Sequence, residues 1–505
     1  MAKSKKVVKA VATVTVFSVF TRGLSFIFKI YLSRALGAET VGLYQICISM
    51  FYLFACLSSS GIPLVLSRKT AEQRALNNDD NHSLFSSALI LGICISVVTV
   101  VILTVSKPYL PRLLSDPKIV PMFIIMAPAI ISTTIYNIIR GWFWGRKEFT
   151  SFSITETIEE ILRILFSVLF ISGLISGLSG AMGIALAFLV SDFIVAALLF
   201  IMFKAKGGKL SKPKPTKIKE IFIPALPVTA IRLFGNLIAT LMAVMLPARL
   251  IDAGFSVSQA TASFGRIAGM ANPLLLAPNA IITSLAIVLI PEMSEQGVKN
   301  EYAALNKHIN TGINFALIIS GFFMLCYYSL GEEITSFLFH DAESGRYLQY
   351  ATFIMLPMCI SQLTQSALNS IGMEFLSFKN YMLSTVFMIA GIYFLPAVMG
   401  IYSVALATTV SFILNAIFNL ITIRKKTNYR AYFIKTLVMV IAFVLLCGFF
   451  SYSLYGILKR VNEVFALCVS LPLGCAMYLA LLIVTDLVDV RGFLKMKAGL
   501  KSVSI

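Results

Sequence analysis

Six basic side chains interrupt long apolar runs in this sequence: Arg22, Lys29, Arg140, Arg163, Arg232 and Arg266. A charge at the centre of a bilayer costs ~2.5–3.5 kcal/mol on insertion scales, so such residues normally face protein or a water-filled cavity. Arg22 and Arg232 fall near the midpoints of their runs, too deep to reach the headgroups. Lys29, Arg140 and Arg266 lie nearer the ends, where a long side chain can snorkel. Arg22 and Lys29 are seven apart and share a helix face; Arg232 and Asn236 are four apart, with Thr229 and Thr240 extending that polar stripe. Guanidinium grips phosphate oxygens bidentately. Arg22, Lys29, Arg232, Asn236 and Arg266 are therefore the candidate binding residues for an anionic ligand such as a phosphate or pyrophosphate.

A second cluster holds Glu156, Glu159, Glu160 and Arg163 in one run, with Asp192 in the next. Glu156, Glu160 and Arg163 share a face, and Glu159 with Arg163 makes an i, i+4 pair. Two roles are open for it. One is an internal ion-pair network that includes Arg140. The other is a carboxylate, in this cluster or at Asp192, that takes up and releases a proton or cation during transport. The apolar segments after Ile221 carry no Asp or Glu until Asp486, so a coupling carboxylate belongs in the first half. Pro224, Pro227, Pro273 and Pro278 break the seventh and eighth segments, beside Asn272 and Asn279. Interrupted helices often border a transport site, because freed backbone groups need water or ligand.

Other chemistry is missing from the pattern. His82, His308 and His340 sit in polar loops, and the eight Cys fall inside apolar runs without metal-ligand spacing. No phosphate-cradling G-x-x-x-x-G-K-[ST] loop occurs, and no loop is long enough for a catalytic domain. No catalytic residue, cofactor or metal is expected, and an ATP-driven pump is excluded.

The elements that must position these residues follow from composition. The chain has 505 residues, 58% hydrophobic and 13% charged, with a mean hydropathy of +0.88. Soluble domains hold about 45–50% apolar and about 25% charged residues, so this is an all-α membrane protein. Spans of roughly 20 residues fit at 8–32, 42–66, 84–106, 119–143, 153–175, 182–203, 221–246, 262–290, 309–330, 347–371, 380–396, 401–423, 433–455 and 463–485, about fourteen in all. The N-terminal apolar stretch runs on to Leu32 and lacks a cleavage site, so it reads as a retained span rather than a signal peptide.

The net charge of +19 is carried by short segments between spans, which points to anionic membrane lipids and away from nucleic acid. With the N-terminus inside, 28 basic residues fall in inside segments and 8 outside, which makes both termini cytoplasmic in a bacterial plasma membrane. The Lys-, Pro- and Gly-rich stretch 204–219 reads as a flexible cytoplasmic linker. It separates an N-lobe (1–203, six helices) from a C-lobe (220–424, six helices), with two helices and a cytoplasmic tail in 425–505. Arg22 and Arg232, each mid-way along the first helix of its half, suggest pseudo-symmetric lobes inserted in the same direction.

Several motifs together resemble the stage V sporulation protein B family of the multidrug/oligosaccharidyl-lipid/polysaccharide exporter superfamily. They are Thr21-Arg22-Gly23-Leu24-Ser25-Phe26, Arg34-Ala35-Leu36-Gly37, Val41-Gly42-Leu43-Tyr44-Gln45, Gly61-Ile62-Pro63, Arg140-Gly141-Trp142-Phe143-Trp144-Gly145, Glu159-Glu160-Ile161-Leu162-Arg163, and Leu226-Pro227 with Arg232-Leu233-Phe234-Gly235-Asn236-Leu237. The resemblance covers nearly the whole chain in the same order. It implies two six-helix lobes across a central cavity plus two extra helices. It also implies flipping of an undecaprenyl-pyrophosphate-linked sugar, lipid II or a polysaccharide unit, by a monomer working through alternating access. Arg22 and Arg266 match functionally important arginines of the lipid II flippases. The match departs at the second helix, which has no interior Arg, at Phe28 beside Lys29, and at Gly269, where those relatives carry an acid. Two alternatives stand beside it. One is a cation-coupled exporter of drugs or organic cations. The other is a membrane enzyme acting on lipid-linked sugars through loop carboxylates such as Asp116, Asp252, Glu332, Glu333, Asp341 or Glu343.

Overall fold

A computed structural model describes residues 2–75, 81–112, 114–172 and 180–487, with side chains from residue 16. Lys3, Lys5, Lys6 and Lys9 as side chains, and Arg491, Lys495, Lys497 and Lys501 entirely, lie outside the described residues. The described residues form helices joined by short connections, without a strand. By contact density they divide at Gly269.

The first unit, Met1–Gly269, contains α1 (Ala2–Ser59), α2 (Gly61–Ala75), α3 (Asn81–Val105), α4 (Ile119–Met126), α5 (Ala129–Gly145), α6 (Phe149–Ile171), α7 (Gly180–Ala205), α8 (Pro215–Asp252) and α9 (Val257–Gly265). At 1.5 Å per residue an unbroken helix as long as α1 would measure roughly 87 Å, nearly three bilayer cores. Gly37 interrupts it with φ 75° and ψ 175°. A Cβ there would meet nothing within 4 Å, so the need for glycine is conformational: other residues rarely hold that backbone. Between α4 and α5 the axis bends by 41°, at Pro128, which has no N–H to continue the ladder.

Residues 206–214 connect α7 to α8 without a helix of their own. The backbone amides of Ser211 and Lys214 donate to Ser86 Oγ (2.9 Å) and Ser87 Oγ (3.0 Å) on α3. Pro215 then opens α8, which packs against α1, α2, α3 and α9. The contact between α1 and α9 is backbone to backbone: a Cβ on Gly42 would lie 2.0 Å from Thr261 O, and one on Gly265 2.2 Å from Ala38 O. These contacts explain why the compact unit extends past the linker at 204–219 and takes in α8 and α9.

The distribution of polarity is that of a membrane protein. Val97, Val98, Val101, Ile102 and Val105 of α3 are exposed, while Ser58 and Thr134 are buried and hydrogen-bonded to each other at 2.7 Å. Where lipid replaces water outside, small polar residues serve as interhelical glue. At one end of the unit, Phe85 stacks on Phe203 (4.2 Å between centroids) and Trp142 meets Phe203 edge-on (4.7 Å), closing an aromatic core.

The second unit, Met270–Ile505, follows a π-helical turn, Arg266–Ala271. It contains α10 (Asn272–Leu275), α11 (Ala277–Val298), α12 (Tyr302–Phe339), α13 (Ala342–Ala351), α14 (Met355–Ser370), α15 (Glu374–Phe394), α16 (Pro396–Met399), α17 (Tyr402–Thr427), α18 (Phe433–Leu458) and α19 (Glu463–Val484). Helix α12 is its axis, touching α11, α13, α14, α18 and α19. Buried amides tie α14, α15 and α17 together: Asn415 donates to Ser361 Oγ (2.7 Å), and Asn380 donates to Asn419 Oδ1 (3.0 Å).

Ten helices among the described residues are long and apolar enough to cross a membrane, or eleven counting the bent α4–α5 pair. That is fewer than the fourteen apolar segments, for identifiable reasons. The first two segments merge into one continuous stretch, Val16–Arg74. Helix α6 carries four charges, the segment at 119–143 is the bent α4–α5 pair, and the segment at 347–371 is broken into short helices, whereas that at 262–290 is represented by Ala277–Val298.

Candidate functional site

A cavity of about 420 Å³ lies within the first unit, walled by α1, α5, α6, α7 and α8. Its chemistry comes from three arginines, Arg140, Arg163 and Arg232, and four carboxylates, Glu156, Glu159, Glu160 and Asp192. These charges are unevenly paired.

Arg163 is paired twice through its terminal nitrogens, while its buried Nε, like that of Arg140, has no hydrogen-bond partner among the described residues. On α6 it lies one turn from both partners: Nη2 binds Glu159, and Nη1 donates to Glu160 Oε2 at 3.0 Å. Its face rests on the Phe188 ring of α7, 4.8 Å from the centroid. The helical period dictates this geometry, since residues three and four apart are neighbours on a helix surface. Asp192 has no arginine of its own. Its carboxylate accepts from Ser132 Oγ and from Thr133 Oγ1 (3.0 Å), both on α5.

The remaining two arginines have no carboxylate partner within salt-bridge distance among the described residues. Arg140 stacks over Trp144, 4.8 Å from the ring centroid, and its buried Nε has no hydrogen-bond partner. Arg232 makes only a 3.3 Å bond to the carbonyl of Ser60, and Asn236 donates back to the Arg232 carbonyl at 3.1 Å. Glu156 also lines the cavity and feels the charges of Arg140 and Arg22. The free functional ends facing the cavity are thus two guanidiniums and one carboxylate.

The other candidates sit elsewhere. Arg22 is exposed on α1 and does not line the cavity, although its neighbours Thr21 and Ser25 do. Lys29, half-buried two turns further on, senses Glu160 but is not part of the wall. Arg266 belongs to the π-helical turn and is also outside it. Several lining residues escaped sequence reasoning: Tyr52, Tyr136, Asn137, Thr133 and Ser60. Part of the signal was present, since Thr133, Asn137 and Arg140 follow the i, i+4, i+7 spacing of one α5 face. Among the described residues no group of three or more His, Cys, Asp or Glu is arranged to hold a metal ion.

A family model described as polysaccharide biosynthesis protein matches residues 7–296, more than half of the chain. The chain belongs to this family. It is 23% identical to stage V sporulation protein B of Bacillus subtilis (strain 168) over 491 residues, 93% of each sequence. It is 20% identical to the lipid II flippase MurJ of the same organism over 343 residues, 63% of each. Among solved structures it superposes on the lipid II flippase MurJ in an inward closed conformation with a TM-score of 0.73, at 15% identity, covering 93% of this chain and 97% of that one. An inward-facing multidrug MATE transporter of the MOP superfamily follows at 0.67, with 17% identity, 81% of this chain and 94% of that one. The fold of this polysaccharide biosynthesis family member is therefore that of the MOP-superfamily transporters, and the chain is a multi-pass membrane protein.

Proposed function

We propose that this protein flips an undecaprenyl-pyrophosphate-linked saccharide, a lipid II-like wall precursor or a polysaccharide unit, from the inner to the outer leaflet of the bacterial plasma membrane. The observation that carries the reading is the uneven pairing in the cavity. Arg163 is consumed by two glutamates, which leaves Arg140 and Arg232 free to grip pyrophosphate oxygens by charge-assisted, bidentate hydrogen bonds. Asn236 offers a neutral donor beside them. Arg22, Lys29 and Arg266, outside the cavity wall in this state, would meet the headgroup at other stages of its passage.

Coupling falls to the carboxylates. Asp192, buried and held by hydroxyls rather than by a cation, is the residue assigned to proton or cation uptake; Glu156 is the second. Uptake of a proton at Asp192 would remove the charge that the Ser132 and Thr133 hydroxyls now donate to and leave one O–H needing an acceptor, and so loosen α7 from α5. In this reading the lobes are 1–203 and 220–424, both termini are cytoplasmic, and the protein acts as a monomer. Opening would part the Gly42–Gly265 contact between α1 and α9.

The test is flipping in proteoliposomes of a fluorescent undecaprenyl-pyrophosphate sugar, comparing wild type with Arg140→Ala and Arg232→Ala. One charged hydrogen-bonding contact is worth roughly 1.5–3 kcal/mol, so each variant should lose about 10- to 100-fold in apparent affinity. The four cavity carboxylates favour a second reading, export of an organic cation. Unchanged flipping in both variants, together with retained cation export, would select it.

A further inference from the structure

A second cavity, of about 710 Å³, lies in the C-terminal unit where α17 ends and α18 begins. The transport reading makes no use of it. One wall is aliphatic: Ile417, Leu420 and Ile421 of α17, and Ile434 of α18. The lining also includes the polar side chains of Arg424, Asn428 and Arg430. Residues 417, 421, 424 and 428 share one face of α17, so Arg424 stands one turn beyond Ile421 and ends an apolar stripe with a guanidinium.

The five-residue connection that carries Arg430 is held from below. Asn428 takes a left-handed conformation (φ 51°) and terminates α17. Buried Asn310 of α12 then uses both ends of its amide. Its nitrogen donates to the Arg430 carbonyl at 3.0 Å, and its oxygen accepts from Tyr429 OH at 2.8 Å and from the Tyr432 amide at 3.0 Å. Asn306, one turn earlier, exchanges two hydrogen bonds with Thr427. The backbone around both arginines is therefore held at Thr427, Arg430 and Tyr432 before any ligand arrives.

Their charge is unanswered. No Asp or Glu occurs between Glu374 and Glu463, and neither Arg424 nor Arg430 makes an ion pair among the described residues. Meanwhile Ile417, Ile421 and Ile434 are 43%, 47% and 56% exposed. A ligand that satisfies this site needs an anion and a hydrocarbon chain in one molecule. A soluble phosphate would leave the aliphatic wall uncovered, and an uncharged lipid would leave the two guanidiniums unmatched. The volume is within the range of about 300–1,000 Å³ typical of small-ligand sites, and basic pockets between membrane helices suit lipid headgroups.

We propose that this cavity is a binding site for one anionic diacyl phospholipid, with its phosphate between Arg424 and Arg430 and an acyl chain along Ile417, Ile421 and Ile434. The site requires only that the chain lies in a membrane, and stands apart from what the first-unit cavity carries.

The experiment uses the full-length protein in uncharged detergent, titrated with fluorescent phosphatidylglycerol and competed with unlabelled phosphatidylglycerol, phosphatidylcholine or inorganic phosphate. Unlabelled phosphatidylglycerol should displace the probe, and the other two should fail. A basic residue at an anionic surface is worth roughly a fivefold change, so Arg424→Ala/Arg430→Ala should weaken binding about 30-fold. Arg424→Lys/Arg430→Lys should keep most of it. Lys425→Ala/Lys426→Ala, adjacent but outside the cavity wall, should bind as wild type does. Both arginines are exposed, so the thermal unfolding temperature of the alanine variant should match wild type, which separates lost binding from lost folding. Equal competition by phosphatidylcholine would overturn the proposal, as would an equal loss in the two alanine pairs, which would mean diffuse surface charge. Competition by inorganic phosphate as strong as by phosphatidylglycerol would replace the lipid with a soluble anion. Flipping is not read in this experiment, so its failure and that of the flippase reading remain separate.

Discussion

Removing Arg163 tests whether the α6 cluster is held together as described. Arg163→Met keeps the length and packing of the side chain but strips the cation from Glu159 and Glu160. The three side chains are 10%, 20% and 8% exposed, so water cannot take over the whole of the arginine's role. Breaking a buried pair by removing one partner costs about 3–5 kcal/mol. Glu159 retains some access to water, which places this case near the lower end, about 3 kcal/mol. With about 2.1 cal/mol/K of unfolding entropy per residue, a first unit that melts as one block should lose roughly 5 °C in midpoint. The assay is thermal unfolding in detergent of wild type, Arg163→Met, and the triple variant Glu159→Gln/Glu160→Gln/Arg163→Met. The triple variant should recover most of the loss, because an uncharged cluster has no orphaned carboxylate. If the single variant is as stable as wild type, or the triple variant melts lower than the single, the pairing is not what holds α6 and the argument is wrong.

Two further predictions concern the first unit. Gly42→Leu forces a side chain into a space where even a Cβ would lie 2.0 Å from Thr261 O, so the α1–α9 contact must open; engineered cysteines across that contact should cross-link in wild type and not in the variant. Glu39, at the polar end of α1's second segment, binds Lys118 Nζ at 2.6 Å and accepts from Ser258, and these hydrogen bonds hold its carboxyl below the usual carboxylate range. A depressed folded pKa contributes stability above the unfolded value of about 4.3 and loses it as pH falls through the folded value. A Glu39→Gln/Lys118→Met double-mutant cycle should therefore show a coupling of about 0.5–1 kcal/mol at pH 7. The coupling should vanish in strong acid; a pH-independent value would refute the ionic origin.

What was legible in the sequence was local. The Glu159–Arg163 and Glu160–Arg163 pairs need only the helical period, and both are made. The break near Gly37 was visible as polar residues between two apolar runs, and it is a residue that only glycine's φ tolerates. The partners of the other charges were not legible. Arg140 was a candidate for the ion-pair network, yet it lies over the Trp144 ring. Asp192 stood alone in its run, yet two hydroxyls sixty and fifty-nine residues away meet it. The linker at 204–219 has the composition of a flexible tether, yet serines at the start of α3 receive its amides.

Composition and hydropathy by themselves determined that this chain lives in a membrane and which ionisable groups fall within its apolar runs. Transfer free energy is a sum over a segment, and a sum can be read in one dimension. Only the tertiary structure decided which of those groups share a cavity and which are already neutralised. Hydropathy reports depth along the membrane normal and says nothing of the direction a side chain takes around its helix or of the helix it meets. The electrostatics of a site are governed by distances of a few ångströms. Arg163 and Arg232 look alike in sequence, yet one is matched by two glutamates and the other makes a single long bond to a carbonyl.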